Sequence, residues 1–248
     1  MKRWMAPLAI PLVVLVSWQM LSTAGVLDPL FFPPPARLLP AAARLWASGE
    51  LPMHLRATLL RLSLGLILGV LPGLALGLAM GRIALVRRAL DPVISALYTT
   101  PKISVLPLLI LVLGVGEAPR LGLIAAAAFT TMTIQTADAV RAIDPNYSEV
   151  ARSCGAGTWL TWRRVYFPAV LPQLLTGFRL AFGRALLATI TVELFNCQRG
   201  IGSMIVMAWQ TFATDKLYLG VILTALLGIA SHTALKLAER YAAPWRRA

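Results

Sequence analysis

Six stretches of this chain are each about twenty residues long and almost wholly apolar. They lie at about 4–24, 57–81, 92–114, 120–140, 172–194 and 216–238. A helix rises 1.5 Å per residue, so about twenty residues cross the hydrocarbon layer of a bilayer. Inside lipid every backbone amide and carbonyl needs an internal partner, which an α-helix supplies. Of the 248 residues 58% are hydrophobic and 13% charged, against about 25% charged in a soluble domain. A soluble fold has too few charges here to cover its surface, whereas lipid tails solvate an apolar exterior. The expectation is an all-α membrane protein, a single transmembrane domain over 1–248 with six transmembrane helices. The start, Met1-Lys2-Arg3-Trp4 before an apolar run, also has the form of a signal peptide. A retained first helix is preferred, because 4–24 is long enough to cross.

Lys and Arg concentrate in cytoplasmic loops, and that bias sets the orientation. With the N-terminus inside, the inner segments hold 13 of the 23 Lys and Arg and the outer segments 6. Arg61, Lys102, Arg179 and Arg184 fall within spans. Both termini are therefore expected in the cytoplasm. The net charge of +13 then reflects inner loops, and no nucleic-acid partner is expected, because the basic residues are dispersed between apolar spans. Cys154 and Cys197 fall on opposite sides of the membrane in this topology, so a disulfide between them is not expected.

Three features describe architecture. Phe31-Phe32-Pro33-Pro34-Pro35 cannot be helical throughout, and Ala36 to Ser48 reads as a short surface helix ending at Gly49. Gly65, Gly69, Gly73, Gly77 and Gly81 are each four apart, so they form one ridge along which another helix approaches closely; Pro72 within it predicts a kink. Pro101 and Pro107 flank Lys102-Ile103-Ser104 and free carbonyls within a span. Such broken helices recur where transporters form their pathway.

The most polar internal stretch is the loop 141–171. Asp144-Pro145 signals a helix start, Asn146 and Glu149 have capping-box spacing, and Gly155 and Gly157 can end that helix. Thr158 can cap a second helix running to a stop before Pro168. The predicted shape is helix, glycine elbow, helix.

Glu149-Val150-Ala151, three residues, Gly155, nine residues, then Val165-Tyr166-Phe167-Pro168 resembles the coupling-loop signature of bacterial ABC importer permeases. That pattern is Glu-Ala-Ala, three residues, Gly, nine residues, Ile, any residue, Leu, Pro; Val150, Val165 and Phe167 depart from it conservatively. Leu30 to Pro35, His54-Leu55 with Thr58-Leu59 and Arg61, Asp91-Pro92, Pro101 to Pro107, Gly114-Val115-Gly116, Gly177-Phe178-Arg179, Glu193, Gly200-Ile201-Gly202 and Pro244-Trp245 are similar to the nitrate/sulfonate/taurine-type subfamily. Lys102 sits where many members carry a small or neutral residue.

The resemblance implies a type I ABC importer permease fold in the bacterial inner membrane. It implies pairing with a second permease copy, identical or a close paralogue, above a dimer of ATP-binding subunits. A periplasmic or extracellular substrate-binding protein delivers the solute. Each ATP-binding subunit receives a coupling helix, so Glu149, Val150, Ala151, Arg152, Gly155 and Pro168 form the expected coupling site. Glu149 near the helix start is favoured by the helix dipole and can meet a basic group on the partner; a solvated cap is the plainer reading. Arg152, Arg163 and Arg164 can pair with the ATP-binding subunit or with lipid headgroups. Trp159 and Trp162 read as interfacial anchors.

Intramembrane charges are costly and often functional. Arg184, with Lys102 second and Glu193 near the outer end, form the candidate substrate pathway; internal pairing or snorkelling is the plainer reading for the cations. The chain lacks GxxxxGK[ST], GxSxG and HExxH motifs, so no catalytic, cofactor or metal site is expected and ATP falls to another chain. The cargo is not read from the residues. The subfamily resemblance implies a small anion such as a sulfonate, nitrate, taurine or an aromatic carboxylate, with vitamin precursors carried by some relatives. The rivals are an ion-gradient-driven secondary transporter and a rhomboid-like protease; for the latter, Ser231-His232 alone does not supply a nucleophile and base.

Overall fold

The computed structural model describes residues 2–144, 146–195 and 197–242, with side chains from residue 9 onward except that of Ser148. Pro145 of the Asp144-Pro145 signal and the terminal Pro244-Trp245 lie outside the described residues. All regular structure among the described residues is helical. The order is α1 (Lys2–Thr23), α2 (Pro35–Ala47), α3 (Glu50–Arg82), α4 (Ala84–Thr99), α5 (Lys102–Leu113), α6 (Glu117–Arg141), α7 (Asn146–Ser153) and α8 (Thr158–Thr161). A π-turn (Trp162–Tyr166) leads into α9 (Phe167–Leu194), followed by α10 (Ile201–Gln210) and α11 (Thr214–Ala242).

Four continuous helical stretches are long and apolar enough to cross a membrane: α3, α6, Thr158–Leu194 and α11. The window 92–114 is not one straight helix. It forms α4 and α5, bent from each other by 100°. The residue before a proline is pushed out of helical conformation, and Thr100 is extended, with φ −63° and ψ 128°. Pro107 lies within α5 without ending it, and α3 runs through Pro72 as one helix. The first window, 4–24, falls on α1, a helix of 22 residues whose stretch Ala9–Thr23 is apolar.

The chain divides into two compact units, Met1–Thr58 with Glu193–Leu226 and Leu59–Val192 with Leu227–Ala248. In the first, α2 is the surface helix read from the sequence. It buries Leu38, Ala41 and Leu45 against Leu51, Met204 and Leu219, and the chain turns at Gly49 with φ +77°. The end of α1 joins this core: the Trp18 and Tyr218 rings lie 5.0 Å apart, and Ser22 donates to the Phe32 carbonyl at 2.6 Å.

In the second unit the glycine ridge of α3 meets α6 along its length. A methyl group at Gly65 would overlap the Ile124 side chain, at Gly69 the Ala125 carbonyl, at Gly73 the Phe129 carbonyl, at Gly77 Thr136 and at Gly81 Val140. Five successive turns of α3 thus rest on α6 with no α3 side chain between. The adjoining core holds Leu62, Leu66, Leu123, Ile124, Ala128 and Val192. Two of the span arginines are paired in this unit. Arg61 binds Glu117 through two hydrogen bonds of 2.7 and 2.8 Å, with Arg120 on the same carboxylate at 2.7 Å. Arg179 meets Glu239 at 3.1 Å, and Thr176 donates to the same residue at 3.1 Å. These two span arginines are thus internally paired.

Candidate functional site

The loop 141–171 folds as a helix and a glycine turn, as its sequence indicates, but its caps differ. Asn146 is inside α7. The Asp144 carboxylate accepts its backbone N–H at 2.9 Å, the capping part assigned above to Asn146; aspartate two residues ahead reaches that amide without strain. At the other end, the Gly155 N–H donates to the Arg152 carbonyl at 2.9 Å and the Ala156 N–H to the Ala151 carbonyl at 3.0 Å. This pair defines a Schellman closure. It places Gly155 at φ +70°, a conformation that costs an L side chain about 1–2 kcal/mol.

Beyond the turn, Gly157 and not Thr158 caps α8. The expected stop before Pro168 is absent, since the helix widens instead. The Phe167 N–H reaches back five residues to the Trp162 carbonyl, so the π-turn makes room for a proline that lacks an amide and crowds the carbonyl four residues back. Pro168 thus sits in the first turn of α9.

Ala151 is buried, while Glu149, Arg152 and Val150, the last at 62%, are exposed. Among the described residues no cation pairs with Glu149. Trp159 is 76% exposed. Trp162 is not a free anchor, because the Arg82 guanidinium at the end of α3 lies 4.5 Å above its ring, and Tyr166 packs beside it at 5.2 Å. A cavity of about 240 Å³ lies beside this stack, lined by Gly81, Arg82, Val140, Asp144, Trp162 and Tyr166 among others.

A second cavity, of about 300 Å³, opens at the break between α4 and α5, with α6 and α9 completing its wall. Lys102 and Arg184 both line it, as do Tyr98 and five threonines. Arg184 donates to the Tyr98 hydroxyl at 3.0 Å, its guanidinium 5.2 Å from that ring. The Lys102 ammonium donates to the carbonyls of Leu97, Tyr98 and Thr100.

Glu193 does not line this cavity. It is 1% exposed and is held at the start of α10. Thr58 donates to its carboxylate at 2.9 Å, and the Gly202 N–H donates at 3.0 Å. The Thr58 hydroxyl in turn accepts the Ile201 N–H at 2.8 Å. His54 Nδ1 lies 2.8 Å from the Gly200 carbonyl oxygen, and a methyl at Gly200 would overlap the Glu193 carboxylate. A carboxylate enclosed at a helix N-terminus, with donors on its oxygens, is a structural anchor. Thr58→Val is expected to lower stability by about 1–3 kcal/mol, because it strands a buried amide and removes a donor from a buried charge. Thermal melting of the purified permease measures it.

Sequence reasoning did not find Tyr98, the threonines, or the Arg82 stack. For two of the threonines the signal was there: Thr130 and Thr131 interrupt a largely apolar span. The pairing of Arg82 with Trp162 joins residues eighty apart and leaves no local trace.

Apolar helices of crossing length, a broken helix beside a polar cavity and an exposed helix–glycine elbow have the build of a membrane permease. Solved importers share the fold. The methionine ABC transporter MetNI in inward-facing conformations has a chain that aligns with a TM-score of 0.61 at 17% identity, covering 75% of this chain and 90% of that one. An amino acid ABC transporter solved with histidines aligns with a TM-score of 0.61 at 18% identity, over 82% and 96%. The chain belongs to the family described as binding-protein-dependent transport system inner membrane component, whose profile matches residues 65–247. It is the permease subunit of an ATP-driven, binding-protein-dependent importer in the inner membrane. The family works with an ATP-binding subunit and a substrate-binding protein. A protein of Bacillus subtilis (strain 168) named as an aliphatic sulfonates transport permease is 34% identical, over 98% of this chain and 88% of its own. The taurine transport system permease protein of Escherichia coli (strain K12) is 31% identical over 94% and 86%. The riboflavin transport system permease protein of Chloroflexus aurantiacus is 34% identical over 94% and 87%.

Proposed function

We propose that this permease moves a small organic anion, of the sulfonate or taurine kind, and that the α7–α8 elbow receives the work of the ATP-binding subunit. The observation that carries the second part is the elbow itself: a short helix closed by a left-handed glycine, with Glu149, Val150 and Arg152 exposed and Ala151 packed beneath. An exposed, rigid plug of this kind suits a groove on a partner. In this reading the chain crosses the membrane six times as one domain, with both termini in the cytoplasm and α4–α5 as one broken crossing. It pairs with a second copy or a close paralogue and leaves ATP hydrolysis to its partner.

Cys154 gives a direct test, since it is exposed within the elbow while Cys197 is buried. A membrane-impermeant maleimide should label Cys154 in inverted vesicles and not in right-side-out ones, and co-assembly with the ATP-binding subunit should suppress the reaction. Labelling from the outer side sinks both topology and coupling.

The cargo does not follow from similarity alone, because a riboflavin permease is as similar as a sulfonate one. Support comes from Arg184. It faces the cavity at the helix break, and no carboxylate pairs with it among the described residues. Arg184→Gln is expected to reduce uptake at least about tenfold, the loss of one charge-assisted bond of ~1.5–3 kcal/mol, while assembly and basal ATP hydrolysis persist. Flux of butanesulfonate into proteoliposomes of the assembled transporter checks it, and unchanged flux retires the assignment.

A further inference from the structure

The cavity at the α4–α5 break holds two cations, yet its hydrogen-bond donors are unequally committed. Leu97 is four residues before Pro101, which has no N–H to return to the Leu97 carbonyl. Tyr98 and Thr100 likewise present carbonyls at the end of α4. The Lys102 ammonium, with three protons to give, donates to all three carbonyls. It is the cap of a broken helix, placed where a cation is favoured by the α4 dipole.

The threonine protons are committed too. Thr99 donates to the Ser95 carbonyl at 3.0 Å and Thr100 to the Ala96 carbonyl at 2.7 Å. Thr130, Thr131 and Thr191 donate to the carbonyls four residues before them at 3.0, 2.9 and 2.8 Å. Their remaining lone pairs face any guest as acceptors, which an anion does not seek. Arg184 is different: one amino group donates to the Tyr98 hydroxyl, which keeps its own proton to give, and a guanidinium carries five N–H donors, so an edge of the fork is left for two oxygens. The N-terminus of α5 adds a partial charge of the same sign but no full counter-charge. Leu123, Ala127, Leu187 and Ala188 supply an apolar wall.

Building on the anion reading above, we propose that this cavity takes the head of a monoanionic organic solute through Arg184 as the one charged ligand, and that Lys102 holds the helix break and is not a ligand. A dianion such as sulfate or phosphate meets one fork and the Tyr98 hydroxyl. The Lys102 ammonium, its protons given to carbonyls, offers it charge without donors, and the dianion's remaining oxygens face an apolar wall, so it binds more weakly than a monoanion. A sulfonate or carboxylate head satisfies the fork bidentately and lays its carbon tail on the wall.

The test uses the purified permease in lipid nanodiscs without its binding protein, so that the selectivity measured belongs to this chain. Saturation-transfer NMR reports 1-butanesulfonate, with sulfate and a second alkanesulfonate as competitors. The second sulfonate should displace the first, and sulfate should need at least about tenfold more. Arg184→Gln should lose the signal at an unchanged melting temperature. Lys102→Met should melt lower yet keep the signal, and Lys102→Gln, which retains donors for the carbonyls, should keep both more nearly. Sulfate competing as well as the sulfonate overturns the proposal, as does loss of signal in folded Lys102→Gln. Full binding and transport by Arg184→Gln instead sinks the pathway reading on which it rests.

Discussion

Gly69→Leu and Gly77→Leu should yield almost no monodisperse permease after detergent extraction. The atoms in the way decide the size of the effect. At Gly69 a first methyl already overlaps the Ala125 carbonyl oxygen, with Ala128 Cβ at 2.7 Å; at Gly77 it meets Thr136 Cβ at 2.5 Å and the Thr133 carbonyl oxygen at 2.6 Å. Backbone of a packed helix cannot rotate aside as a side chain can, so α3 and α6 must separate. Overpacking by a single group costs about 1–3 kcal/mol, and a leucine adds three more carbons at a contact repeated over five turns. Separation also opens the core of Leu66, Ile124 and Ala128. Gly183→Ala is the control, since nothing lies within 4 Å of a methyl there; it should extract and melt like the parent. Normal yield of both leucine variants would show that the seam is looser than these contacts demand.

Glu149→Arg should abolish binding-protein-dependent uptake, a loss beyond about tenfold, while the protein inserts and folds normally. Glu149 is exposed and no cation pairs with it among the described residues, so its replacement removes nothing the permease itself needs. On a docking surface a reversed charge adds repulsion at contact, which costs several kcal/mol. Gly155→Arg should do the same with a small added loss of stability, because the left-handed turn strains an L residue while the surrounding space is empty. Gly155→Asn, which tolerates that conformation, should retain coupling. Uptake measured beside ATP hydrolysis in the assembled transporter separates the outcomes: hydrolysis without uptake is the expected signature. Normal uptake by Glu149→Arg would mean that the elbow is not where the engine pushes.

Much of this was legible from residue order. Four of the spans, the surface helix, the glycine ridge and the elbow follow from local rules: length of apolar run, turn chemistry, four-residue spacing. What stayed hidden depends on atoms brought together from afar or on small choices of geometry. Pro101 announced a break but not its 100° bend, at which α5 lies packed on α6. Pro168 read as a stop, yet a wider turn absorbed it at the cost of one register step. Asp144 and Asn146 are both good caps, and propensity alone did not rank them. Glu193 and Lys102 stood out as pathway residues because intramembrane charge is rare. Glu193 is buried on Thr58 and Gly202 away from the cavity, while Lys102 lines the cavity with its ammonium on the Leu97, Tyr98 and Thr100 carbonyls. Arg184 kept its open face.

The clasp of α3 on α6 has a mechanical meaning. A seam made of side chains can yield by rotamer hops, each absorbing a little displacement. Here one side is bare glycine and the other offers carbonyls and the β-carbons of Ile124, Ala128, Thr136 and Val140, which leaves little such play, so the two helices are held as one stiff pair. Arg82 closes the end of that pair over Trp162, at the root of the elbow. If the elbow is where the ATP-binding subunit pushes, as proposed, a displacement of the indole would be passed through Arg82 to the α3–α6 pair as a body instead of being taken up by one helix end.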